Sequence, residues 1–312
     1  MRRMHWYIKG SVQKYFVFAL LFCTALFLVI NFIFSSGIPD LVMAQGSAMP
    51  ASFYFAAEVN ANDYPGTLMV FRYNDEPITE QEIMMLTDKL KMGEYIIHNI
   101  SDKEWVVHAK EKTILVEKDS GMWTYQDVSA RHRNAMGGNN LPSDDSVVQL
   151  AKKQLNEIGI DPDTFSTVGV GNTTVGTEIV RKSAYFYRQI DGYDIVGTSK
   201  LVVEIGRQGK VEAISKHYCD YQPYKAFQLK SIDQAMDELQ QGKAQYQCSQ
   251  LLTGEATVYE IDIAYYSSPV NVPESFLQPV YVFNGEVISP DGPLSFRAVL
   301  PAVHGVNIKW QQ

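Results

Sequence analysis

The sequence predicts an α+β protein, an N-terminal transmembrane helix followed by repeated modules of a short helix packed on an antiparallel sheet. Three observations predict it. An apolar run stands close to the N-terminus. Three helical stretches each open on a Ser or Thr cap and close on Gly. Around them lie short β-branched and aromatic runs separated by polar turns, the mark of hairpins rather than of βαβ units.

Residues 1–14 form a basic tail with Arg2, Arg3, Lys9 and Lys14 and no acid. The run "YFVFALLFCTALFLVINFIF", residues 15–34, has only Thr24 and Asn31 as appreciably polar members. About 20 such residues span a bilayer core as a helix. The basic flank places the N-terminus in the cytoplasm and the remaining body outside the cell membrane. A cleaved signal peptide is the competing reading, since Ala44 offers a small residue. However, signal cores run to about 15 residues, and Ala44 lies ten residues past the apolar run. Cys23 in "LLFC" follows bulky Phe22, which speaks against a lipid-modified cysteine. Residues 35–52 are small and polar with Gly and Pro, as a linker would be.

The first module, 53–128, opens with the strand "GTLMVFRY". A helix follows, with Thr79 and Glu82 as a capping box, Ile83, Leu86 and Leu90 on one face, and Gly93 at its end. The strands "YIIHNI", "EWVVHA", "KTILVEK" and "GMWTYQDV" complete it. Residues 129–142, rich in Gly, Asn and Pro, read as a second linker. The module 143–222 starts with a helix capped by Ser143 or Asp144. Val147, Ala151, Leu155 and Ile158 line one face, and Gly159 stops it. The module 223–312 has a helix capped by Ser231 with Ala235, Met236 and Leu239 inward. Its strands are "EATVYEIDIAYYSS", "LQPVYVFNGEV" and "LSFRAVLPAV".

Charge and motifs exclude several classes of function. The net charge is −8, and the four basic residues before position 35 leave −12 on the rest. An acidic body lacks the basic footprint that nucleic acid requires. The six histidines include no i, i+4 pair, and there is no HExxH or CxxC, so no metal site is expected. His98 and His108 stand on neighbouring strands and can face each other. No GxSxG elbow is present, and "VGVGNTTVG" leads into a strand rather than a helix, unlike a dinucleotide loop. No catalytic residue and no cofactor are expected. Cys219 and Cys248 lie in a compartment that permits a disulfide, and two readings stand, a bridge or two buried thiols.

The stretch "YFYRQIDGYDIVGTSKLVVEIGRQGKVEAISKHY", residues 185–218, carries Tyr187, Gln189, Gly192, Ile195, Val196 and Gly197, then Leu201, Val203, Ile205, Gly209 and Val211. This order resembles the strand–turn–strand pattern of PepSY-type modules, as in thermolysin-type propeptides. "SIDQAMDEL", "VYEIDIAYYSS", "LQPVYVFNG" and "FRAVLPAV" are similar to the C-terminal part of the YycI family. The resemblance covers about 145–303 and the N-terminal run. It implies a PepSY-like module at 143–222 and a PepSY- or YycI-like one at 223–312. It also implies a membrane-anchored extracytoplasmic regulator whose partner is an envelope protein, a sensor kinase or a protease. Tyr185, Tyr187, Arg188 and Tyr193 are the candidate partner contacts, because Tyr and Arg are favoured at interfaces. The other reading has them packing their own sheet. Two further functions stay open, a sensor binding a small ligand or peptide between modules, and a hydrolase.

Overall fold

The computed structural model describes residues 37–46, 49–56, 64–74, 77–134, 140–248, 254–269, 272, 275–289 and 292–311. The apolar run 15–34 lies outside the described residues, and among those described no helix is long and apolar enough to cross a membrane. In chain order the strands begin with β1 (Leu41–Met43), β2 (Ser52–Phe55), β3 (Thr67–Tyr73), β4 (Ile96–Asn99), β5 (Glu104–Ala109), β6 (Lys112–Glu117) and β7 (Trp123–Asp127). They continue with β8 (Thr167–Val175), β9 (Glu178–Tyr187), β10 (Gln189–Ile190), β11 (Tyr193–Gly197), β12 (Lys200–Ile205) and β13 (Val211–His217). The last are β14 (Tyr221–Gln228), β15 (Gln245–Cys248), β16 (Glu255–Ser267), β17 (Phe276–Ser289), β18 (Gly292–Pro301) and β19 (Ile308–Trp310). The helices are α1 (Glu80–Lys89), α2 (Val128–Asn134), α3 (Asp144–Ile158) and α4 (Ile232–Gln240).

The first sheet has eight strands in the order β4-β5-β6-β7-β13-β12-β9-β8, all antiparallel. Side chains alternate across a strand, so one register row faces one way. Val107, Ile114, Tyr125, Ile214, Val203, Ala184 and Val170 form such a row. They pack in one core with Ile83 of α1 and Val147, Ala151 and Leu155 of α3. Both helices begin where the sequence places them. Thr79 and Glu82 form the capping box of α1, and Ser143 accepts from the Ser146 amide at the start of α3.

The second sheet has nine strands. Its main path is β10-β11-β16-β17-β18-β15, with β2 alongside β16, and β3 joining β17 to β14. Ile232, Ala235 and Leu239 of α4 pack with Val280, Val282, Ala298 and Leu300 in the second core. Burying each large aliphatic side chain contributes about 1.5–3 kcal/mol. The parallel pair β1–β19 closes this side with buried Leu41 and Met43.

This architecture corrects the predicted fold class. The described residues are mostly strand, 52% against 18% helix, and no helix-on-sheet module repeats. β4 to β7 continue through the β7–β13 ladder into the strands that follow α3. β3 leaves its sequence neighbours and pairs with β14 and β17 in the other sheet. β10 and β11 do the same from the middle of the chain, with Ile195 opposite Tyr265 and Gly197 opposite Ser267. A Cβ on Gly197 would stand 2.1 Å from the Ser267 carbonyl, and its φ is +97°, so only glycine suits this crossing. The physical reason for the correction is that caps and periodicity act within about ten residues, whereas pairing partners are chosen by long-range burial of apolar faces.

Candidate interaction surface at an edge strand

Within the second sheet a small core forms from Phe71, Ile195, Tyr265 and Leu277, against which Tyr193 packs. The Tyr193 ring lies edge-on to Tyr265 at 6.1 Å. Arg188 stands where the chain leaves β9 of the first sheet for β10 of the second. Its guanidinium lies 4.4 Å from the Tyr218 ring centre and 5.0 Å from that of Tyr221, and Nη1 donates to the Cys219 carbonyl at 2.8 Å. The Lys216 ammonium lies beneath Tyr218 and donates to the carbonyls of Tyr218 and Gly121. Burial pushes the Lys216 pKa down and that of Tyr221 up to about 12, since both charged forms lose solvation there. Of the four candidate contacts, Arg188 therefore bridges Tyr218 of the first core and Tyr221 on β14 of the second sheet, while Tyr193 packs inside the second sheet.

Tyr185 and Tyr187 lie elsewhere, on the face of the first sheet turned away from α1 and α3. The row of Tyr185 reads Val106, Leu115, Thr124, Ser215, Val202, Tyr185 and Gly169, and Tyr187 stands two residues on along β9, opposite Lys200 and Thr167. The rings cover the glycines of the neighbouring strand. A Cβ on Gly171 would meet the Tyr185 ring at 2.8 Å, and one on Gly169 would meet Tyr187 at 3.7 Å. Aromatic side chains laid over strand glycines restore the packing those glycines lack. The result is a tyrosine shelf reaching to β8, the terminal strand of the sheet. Lys200 lies over the Tyr185 ring, 5.8 Å from its centre. Further along the face, Arg181 pairs with Glu212 at 3.0 Å and Glu204 at 3.5 Å, and Arg131 pairs with Glu204 at 2.6 Å.

β8 is a nine-residue edge, "TVGVGNTTV", with no charged residue and no proline. Val175 at its end is 67% exposed. Sheet edges are normally blunted by lysine, proline, shortness or a cover, because a row of open amides and carbonyls invites another strand. The opposite edge, β4, is only four residues long. There His98 and His108 do face each other, edge-on at 5.7 Å, and His108 also meets Thr113. Among the described residues no group of three or more His, Cys, Asp or Glu is placed to hold a metal ion.

Cys219 is buried just after β13, and Cys248 ends β15, its side chain outside the described residues. Sequence reasoning missed the glycine–tyrosine shelf. Its signal is present as G-x-G in one strand and Y-x-Y in the next, both at the period of two that puts them on one face.

No protein-family model matches the chain. No curated protein matches it either. Among solved structures it is similar to an uncharacterized protein from Eubacterium rectale, with 10% identity, 85% of this chain and 92% of that one covered, and a TM-score of 0.47. It is also similar to the C-terminal domain of YpeB from Bacillus megaterium, with 13% identity, coverage of 75% and 97%, and a TM-score of 0.37.

Proposed function

We propose that this protein is a non-enzymatic binding protein of the cell envelope, and that it captures an extended segment of a partner protein along β8. The observation that carries this reading is the long, uncharged, proline-free edge of β8 beside the Tyr185–Tyr187 shelf. An added strand would take main-chain hydrogen bonds from the edge, and its alternate side chains would lie on the tyrosines. The basic-then-apolar stretch 1–34 supports placing the body outside the cell membrane. The likeness of 145–303 to PepSY and YycI sequences favours a sensor kinase or a protease as the partner.

The test is a pair of lysines on the edge. Asn172 and Thr174 are exposed on β8. Asn172→Lys with Thr174→Lys is expected to leave folding within about 0.5 kcal/mol, as exposed substitutions do. The same change is expected to abolish co-purification of the partner from membranes. Unchanged recovery of the partner contradicts docking on β8.

A further inference from the structure

A second feature, independent of the β8 reading, lies on the other face of the first sheet. A groove of about 490 Å³ opens between α1, α3 and the β12–β13 turn. It forms where the segments on either side of residues 129–142 come together. Its rim carries Lys91, Lys112, Lys153 and Lys210, against the carboxylates Asp127 and Glu157. Lys89 also lines it, its ammonium lying close to Gly159 at the C-terminal end of α3, where helix carbonyls favour a cation.

The two carboxylates already have partners. Asp127 accepts from the Ser129 hydroxyl and the Ala130 amide. Glu157 pairs with Lys91 at 3.4 Å. Lys112 donates to the Lys91 carbonyl, which aims its ammonium into the rim without neutralising it. Among the described residues Lys153 and Lys210 stand in no ion pair with an acid. Five lysines against two acids make this a positive site on a body that is otherwise strongly acidic. A concave surface of one sign concentrates its field inward.

The floor is apolar. Leu150, Ile214 and the ring of Tyr125 form it. Gly209, at φ +70°, lets the β12–β13 turn press on α3, where a Cβ would meet Leu150 at 2.8 Å. That close approach holds Lys210 at the same opening as Lys153. A pocket of this size with an apolar floor and a few convergent charges is the form of a small-molecule site.

We propose that the groove binds a small, multiply charged anion with an apolar body, an organic phosphate or polycarboxylate. The lysine rim would hold the anionic groups as point charges, and Tyr125, Leu150 and Ile214 would cover the carbon frame.

The test is calorimetric titration of the full chain in detergent with naphthyl phosphate, with a naphthalene dicarboxylate and with inorganic phosphate. Saturable binding of either naphthyl probe, tighter than that of inorganic phosphate, is expected. Which naphthyl probe binds tighter names the anionic group. Lys153→Glu with Lys210→Glu is expected to weaken binding by about tenfold or more, with circular dichroism unchanged because both lysines are exposed. The control is Lys225→Glu with Lys309→Glu, which carries the same charge change far from the groove. Three results overturn the proposal. These are no saturable binding of either naphthyl probe, equal weakening in the control, and inorganic phosphate binding as tightly as the naphthyl probes.

Discussion

Gly171 and Tyr185 make one contact from two strands, and each explains the other. The ring occupies the space a Cβ would need, so Gly171→Val must displace it, at a cost of about 1–3 kcal/mol by overpacking. The same substitution in a Tyr185→Ala background is expected to cost less, because the clash is gone. A denaturant-unfolding double-mutant cycle measures the difference, and additive effects would deny the contact. Buried tyrosines give a second prediction at this scale. Burial pushes Tyr125 and Tyr221 up to about 12 from the ordinary value of 10. Their folded forms hold the proton longer than the unfolded chain does. Their contribution is thus fully present below pH 10 and is lost as pH rises from 10 through 12. Each accounts for roughly 2–3 kcal/mol across that window. Unfolding midpoints taken between pH 9 and 12 should fall steeply above pH 10, and Tyr125→Phe should flatten the fall.

The helices were the most legible elements, because their signals are local. Thr79 with Glu82, Ser143 with Gly159, and Ser231 with its inward Ala235 and Leu239 all stand where caps and periodicity put them. Leu155 of α3 is fully buried in the first core. Leu155→Ala is expected to cost about 2–5 kcal/mol by chemical denaturation, with no loss of partner binding at β8 if the variant is assayed below its midpoint. The strands were legible as strands, including "VGVGNTTV", which became an edge rather than a phosphate loop. Their partners were not. Nothing local in "GTLMVFRY" tells that it pairs with β14 and β17 rather than with the strands that follow it. The same blindness applied to the contact residues. Tyr185, Tyr187, Arg188 and Tyr193 lie within nine positions of one another, yet the crossing at β10 leaves the first two on the outer face of the first sheet, Arg188 at the crossing itself and Tyr193 inside the second sheet. The lysine groove was equally hidden, since its lysines come from four separate segments.

At the scale of the whole molecule, β3, β10 and β11 interlock the two sheets, so neither has a closed stretch of chain to itself. One cooperative unfolding transition is expected, and a fragment of residues 143–222 alone should stay unfolded, lacking β7 beside β13 and β16 beside β11. Two well-separated transitions would show that the sheets are independent. The most direct test of partner docking places a photo-crosslinking side chain at Asn172 on β8, and in parallel at Glu286 on the exposed side of β17, in the full chain in its native membrane. Docking on β8 predicts a discrete protein adduct from position 172 alone, joined through a single extended segment of the partner. No adduct at 172, or the same adducts from 172 and 286, would contradict it.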